Sequence, residues 1–148
     1  MERAELSGEI LYAYAAGIID GEGSIDIYRV SRKGKNPRYS TRLVVGMTDP
    51  WIPKLLQNHF GGSVYVIKHG DTQNWKDTWF WSIQARKAEN TLRLILPYLQ
   101  IKQRHAELAL SFQSRKFRRH KPLSEEEMAL EEADRLLMHS YNRRGKEV

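Results

Sequence analysis

Between Ala13 and Gly23 the chain carries a run that few folds can accommodate. Ala13, Gly17 and Gly21 recur every four residues, with Ala16 and Asp20 beside them. On a helix this spacing puts all five on one face and leaves it almost without side-chain bulk. Such a face lets a second helix approach backbone to backbone. The same segment ends Asp20-Gly21-Glu22-Gly23, with Asp26 close behind, so three carboxylates gather near a helix C-terminus. The macrodipole is negative there, and a nearby cation is needed to hold them; a divalent metal would supply that charge. A glycine-rich helix cap with solvated carboxylates accounts for Gly21 and Gly23. It does not account for the small-residue face.

Three other phosphate- or metal-binding patterns fail on the same residues. An EF-hand loop beginning at Asp20 would need glycine at position 25 and glutamate at position 31, where Ile25 and Ser31 stand. A dinucleotide fingerprint would need a third glycine where Asp26 is, and the Gly-Lys-Ser/Thr ending of a P-loop is missing. The five histidines (His59, His69, His105, His120 and His139) show no ligand spacing, and surface or helix-capping roles are expected for each.

The chain has 148 residues, 41% of them hydrophobic, with four Trp, seven Tyr and four Phe. That is enough apolar surface to offset chain entropy, and a single domain over 1–148 is expected, with a core at about 7–118 and a C-terminal helix at about 124–142. No cysteine is present, which excludes a disulfide framework, a thiolate metal site or a cysteine nucleophile. The apolar runs are too short to span a membrane and the N-terminus is unlike a signal peptide. A soluble intracellular protein, in a prokaryotic cytoplasm or an organelle, is expected.

Lys and Arg number 24 against 18 Asp and Glu, and their distribution is uneven. Arg29, Arg32, Lys33, Lys35, Arg38 and Arg42 occur without an acid between them, around Gly34, Asn36 and Pro37, which predicts a basic hairpin with a flexible tip. A second basic run holds Lys102, Arg104, Arg115, Lys116, Arg118, Arg119 and Lys121. Such runs suit a polyanionic partner. The acidic run from Glu125 to Asp134 is expected to face away from it.

Hydrophobic periodicity predicts a helix over 7–20 with Ile10, Leu11, Tyr14 and Ile18 recurring at helical spacing. Strands follow over 24–32 and 39–47, with Ile25, Ile27, Leu43 and Val45 toward the core and Tyr28, Ser40 and Arg42 on the open side. A helix over 50–60 and a second strand pair over 63–68 and 79–86 come next. Both alternating sets of the last strand contain aromatics, so its orientation is undecided. Helices are predicted over 87–99 and 102–117. A last helix opens with the capping box Ser124-x-x-Glu127 and carries Leu130, Ala133 and Leu137 on one face. The order is α+β: helix, hairpin, helix, hairpin, helices.

Ala15-Ala16-Gly17-Ile18-Ile19-Asp20-Gly21-Glu22-Gly23 resembles the LAGLIDADG motif of homing endonucleases, and Leu99-Gln100-Ile101-Lys102-Gln103 is similar to the family segment that bears an active-site lysine. The resemblance implies an αββαββα core with a saddle-shaped antiparallel sheet, here followed by additional C-terminal helices. One motif copy implies the branch that acts as a homodimer on double-stranded DNA. It implies a site-specific endonuclease of a mobile intron or intein, dependent on Mg2+ or another divalent metal such as Mn2+. Glu22 and the Gly21 carbonyl would be metal ligands, Lys102 a catalytic residue, and Asp20 a brace for the helix pair. Family members often carry a polar residue at the end of the second strand. Met47 lacks one, which leaves Thr48 as the catalytic candidate there. Ala13, Ala16, Gly17 and Asp20 would form the dimer interface. A non-cleaving intron-RNA maturase or DNA-binding regulator of the same fold is the alternative.

On such a reading the open hairpin faces meet DNA. Tyr28, Arg32, Ser40 and Arg42 are expected near base edges, and Lys33, Lys35 and Arg38, with Lys68 of the second hairpin, near phosphates.

Overall fold

The computed structural model describes residues 2–70, 75–116 and 122–143. Of the second basic run, Arg118, Arg119 and Lys121 lie outside them, as does Phe117, the expected last residue of its helix. Helix α1 (Gly8–Glu22) leads into β1 (Gly23–Arg32) and β2 (Lys35–Met47). Helix α2 (Trp51–Phe60) separates this hairpin from β3 (Ser63–Ile67) and β4 (Thr78–Gln84). Helix α3 (Ala85–Ile95), a 3-10 turn (Leu96–Tyr98), α4 (Gln103–Arg115) and α5 (Glu125–Asn142) complete the order.

The strands form one antiparallel sheet in the order β1-β2-β4-β3. Ile25, Ile27, Leu43 and Val45 face the helices, as the alternation of small polar and apolar residues predicts. The register pairs Leu43 with Ile83 and Val45 with Trp81, and both partners are fully buried. This settles the last strand: Trp81 and Ile83 face the core, while Phe80, Ser82 and Gln84 lie on the open face. The Trp81 indole donates to the Gly61 carbonyl at 2.8 Å. That approach needs glycine at the next position too, since Gly62 has φ +88 and a Cβ there would stand 2.5 Å from the Ser82 carbonyl oxygen.

The basic hairpin differs from the expected flexible tip. Its second strand begins at Lys35 rather than Tyr39, so the turn is only Lys33-Gly34, with Gly34 at φ +71. Two-residue hairpin turns demand such a conformation. Pro37 is accommodated inside β2 because the ladder shifts register between Val30 and Arg32 opposite it.

The expected apolar stripe is split in α1 and turned outward in α5. In α1 the buried residues are Leu11, Ala15, Ala16 and Ile19, whereas Ile10 is 68% exposed and Tyr14 also faces outward. Leu11 is buried and Ile18 partly so, with Ala15, Ala16 and Ile19 completing the inner face, so of the four spaced residues only Ile10 and Tyr14 turn outward. In α5 Leu130, Ala133 and Leu137 are exposed, while Glu131 and Met138 are buried. Basic partners from elsewhere in the chain make that possible. Lys116 pairs with Glu131 at 3.4 Å and donates to the Tyr39 carbonyl, and Arg115 pairs with Asp134. The acidic run is thus partly consumed in docking α5 rather than solvated.

The Tyr39 hydroxyl donates to Glu132 at 2.7 Å, and Arg135 Nε donates to the same carboxylate at 3.0 Å. The Arg135 hydrogen bond is the largest influence holding the Glu132 carboxyl down, from 4.5 to about 2. A depressed carboxyl contributes stability that is complete above its unfolded value and is lost as pH falls through the folded one. The thermal midpoint should therefore drop between pH 4.5 and about 2, and Glu132→Gln should flatten that part of the profile. Identical acid profiles for the two proteins would contradict this role.

Candidate functional site

The C-terminus of α1 and the N-terminus of α4 clasp each other through two residues. Asp20 accepts from the backbone N–H groups of Gln100, Ile101 and Lys102 at 2.8, 3.2 and 2.9 Å. These donors lie at the entrance to α4, where N–H groups lack partners within the helix. In return the Lys102 ammonium donates to the Ile19 and Asp20 carbonyls at 3.1 and 2.8 Å. Those carbonyls end α1, so the positive charge sits at the negative pole of its dipole. Asp20 is thereby spent on bracing, and Lys102 is held two residues before Glu22 along the helix. Glu22 and Gly21 are both exposed at this corner.

Asp20→Ala leaves three amides without an acceptor and should cost about 2–4 kcal/mol, combining a lost cap with lost charge-assisted hydrogen bonds. Urea unfolding measures it; a cost under about 0.5 kcal/mol, the range of an ordinary surface substitution, would remove Asp20 from this role.

Of the small-residue face, Ala13, Gly17 and Gly21 are exposed, and a Cβ added at Gly17 or Gly21 would meet nothing within 4 Å. Ala16 is a correction: it is fully buried, inside the protomer's own core, because it lies on the Leu11–Ile19 side of the helix. Ile10 and Tyr14 take its place on the outward face. At the end of β2, Met47 packs against the core and Thr48 is exposed. Asp49 accepts from the Trp51 amide at 2.8 Å and opens α2.

The open sheet face carries the expected basic residues together with a network that the sequence reading did not contain. Arg42 pairs with Asp26 at 2.9 Å and stands over the Tyr28 ring, 4.7 Å from its centroid. The Tyr28 hydroxyl donates to Gln84 at 2.9 Å. The register explains these contacts, placing Asp26 opposite Arg42 and Arg42 opposite Gln84. Arg32 donates to the Asn36 carbonyl at 2.8 Å and stiffens the tip. Ser40 is half-buried beside them, while Lys33, Lys35, Arg38 and Lys68 are exposed. The pairing of Asp26 and the role of Gln84 are not legible in the sequence, because Asp26 faces Arg42 only through the register shift between Val30 and Arg32; an unshifted two-residue hairpin would set it opposite Thr41.

Beside the clasp, Ser24, Asp26, Lys102, His105 and Asn142 line an open cleft of about 430 Å³. Asn142 donates to the Ile25 carbonyl at 2.9 Å and so ties the end of α5 to edge strand β1. His105 departs from the expected surface role: it is buried, with its ring against Tyr141, and burial pushes its imidazole below the ordinary value.

Among solved structures the chain is similar to the homing endonuclease I-CvuI in complex with the I-CreI target. The two are 22% identical, the match covers 95% of this chain and 86% of that one, and the TM-score is 0.75. The archaeal intron-encoded homing endonuclease I-Vdi141I, complexed with DNA, is 14% identical over 92% of this chain and 86% of its own, with a TM-score of 0.74. The LAGLIDADG homing endonuclease I-GzeII in complex with its DNA target is 18% identical over 92% of this chain but 46% of its own, with a TM-score of 0.60. The chain has the LAGLIDADG homing endonuclease fold. No family model matches it, and no curated protein matches it in sequence. Among the described residues no helix is long and apolar enough to cross a membrane.

Proposed function

We propose that the protein is a site-specific, divalent-metal-dependent endonuclease that cuts double-stranded DNA as a homodimer. The observation that carries this reading is the clasp at the end of α1. Asp20 and Lys102 lock each other to backbone groups, and Glu22 is left exposed where β1 enters the open basic face. A carboxylate and a neighbouring backbone carbonyl at Gly21 form an oxygen donor set that suits a hard cation such as Mg2+ or Mn2+. No group of three His, Asp or Glu side chains that could hold a metal occurs among the described residues. Waters and phosphate oxygens would complete the shell, and in a dimer the Glu22 of the second copy would stand at the same axis. When bound, the cation supplies Lewis-acid stabilisation of charge on the scissile phosphate.

The outward face of α1 is suited to bringing that second copy in. Ile10, Ala13, Tyr14, Gly17 and Gly21 together offer apolar contact and close backbone approach. The chain covers most of I-CvuI and just under half of I-GzeII, as a single copy of a doubled assembly would. Two Glu22 side chains at one axis repel unless positive charge intervenes. Lys102 adds a fixed positive charge at the same corner, where negative charge on phosphate oxygens grows during the displacement. On the sheet, Lys33, Lys35, Arg38 and Lys68 meet phosphates, and Tyr28, Arg32, Ser40 and Arg42 lie toward base edges.

A non-cleaving binder of intron RNA or of DNA is the second reading, favoured by Met47, which packs against the core where a water-positioning side chain is wanted. One experiment separates the two: incubation with a randomised duplex DNA pool, recovering bound and cut molecules with magnesium and with chelator. Magnesium-dependent cutting supports the nuclease, and enrichment without cutting supports the binder. Binding should weaken steeply with salt, and Lys35→Ala should lower the slope of log affinity against log salt by about one while weakening all sequences alike. A salt-insensitive affinity would refute the phosphate contacts.

A further inference from the structure

The open sheet face is not uniformly polar. At its β3 edge Tyr65 and Ile67 are 47% and 46% exposed, and the Tyr65 ring stacks on Phe80 with centroids 5.3 Å apart and an interplanar angle of 14°. The register puts Tyr65 and Gly46 on either side of Phe80. Gly46 is what lets the ring lie down, because a Cβ there would stand 2.5 Å from Phe80 Cε1. The result is a fixed aromatic plate on the same sheet face as Arg42, which lies four residues along β2 from Gly46. Its level in the sheet is that of the Glu22–Gly23 junction, since Gly23 pairs with Val45, rather than that of the Lys33-Gly34 tip.

We propose that the Tyr65–Phe80–Ile67 plate reads thymine methyl groups in the major groove, near the cut positions rather than at the outer ends of the site. This rests on the DNA reading above. A phosphate does not suit the surface, because aromatic faces carry negative electrostatic character. Among base edges in the major groove, the C5-methyl of thymine is the apolar feature, and apolar side chains discriminate through it. A second protein is the less fitting occupant, since the plate shares its sheet face with Arg42, four residues along β2 from Gly46 past Val44 and Ser82.

The test uses the intact protein on its selected duplex, with affinity measured in calcium. Each thymine is replaced in turn by deoxyuridine, which removes the methyl and keeps base pairing. One or two thymines per half-site should each cost the wild-type protein about fourfold in affinity, the fold-change of returning one buried methyl to water, while Tyr65→Ser and Ile67→Ser should lose less than about 1.5-fold on the same change. Both positions are exposed, so the variants should melt as the wild type does. Specific binding with no methyl-sensitive position, or with equal sensitivity in wild type and both variants, would overturn the inference and leave the DNA reading standing. No specific binding to any duplex would overturn both. A change of oligomeric state in Tyr65→Ser would assign the plate to a protein contact instead and refute it.

Discussion

Glu22→Gln is expected to abolish cleavage, lowering the single-turnover rate by at least about 10³-fold, the upper range for loss of one group that stabilises transition-state charge. The amide preserves shape and one metal-capable oxygen but removes the negative charge that draws a cation to the end of α1. Folding should be untouched, because Glu22 is exposed and α1 is anchored by Asp20 rather than by it. Specific DNA binding should be equal or tighter, since two carboxylates no longer face the phosphates. Cleavage at the selected site across a magnesium series, with binding followed separately in calcium, measures both effects. A variant that cuts at a near wild-type rate would remove Glu22 as metal ligand.

The second large effect is expected at Gly17. A leucine there has free space in the protomer, where a Cβ meets nothing within 4 Å. It also has a better helix propensity, so the isolated protomer should be unharmed or slightly more stable. In a twofold interface the same side chain is inserted twice. Overpacking at about 1–3 kcal/mol for each copy then raises the dimer dissociation constant by about 30-fold to 10⁴-fold. Sedimentation should show monomers at concentrations where the wild type is dimeric, with cleavage lost in parallel. A Gly17→Leu protein that remains a fully active dimer would place the interface elsewhere.

The split stripe of α1 and the outward-turned stripe of α5 show what a single sequence conceals. Ile10 and Tyr14 have the spacing of a core stripe, yet they face outward while Ala15 and Ala16 are fully buried beside Leu11 and Ile19. Periodicity names a helix but does not choose between two apolar faces. Burial of Glu131 in α5 depends on Lys116, which no local pattern links to it. The β4 orientation was open because aromatics occupy both sets; Gly46 opposite Phe80 resolves it through a contact between strands far apart in sequence. The motif itself was legible because its chemistry is local: carboxylates, glycines and a small-residue face lie within one helix. Its bracing was half legible, in that Asp20 was expected to brace, whereas its actual partners are the backbone N–H groups at the start of α4.

A shared site at the dimer axis fixes where both strands of a bound duplex are broken. The wild-type protein, saturating a selected site, is to be titrated with magnesium and the product ends mapped on each strand. Breaks are expected on both strands at positions related by the twofold axis of the site, with a rate that saturates in magnesium and vanishes with chelator. Cutting that survives chelation, or breaks confined to one strand, would contradict a shared metal-dependent site built from two copies of Glu22.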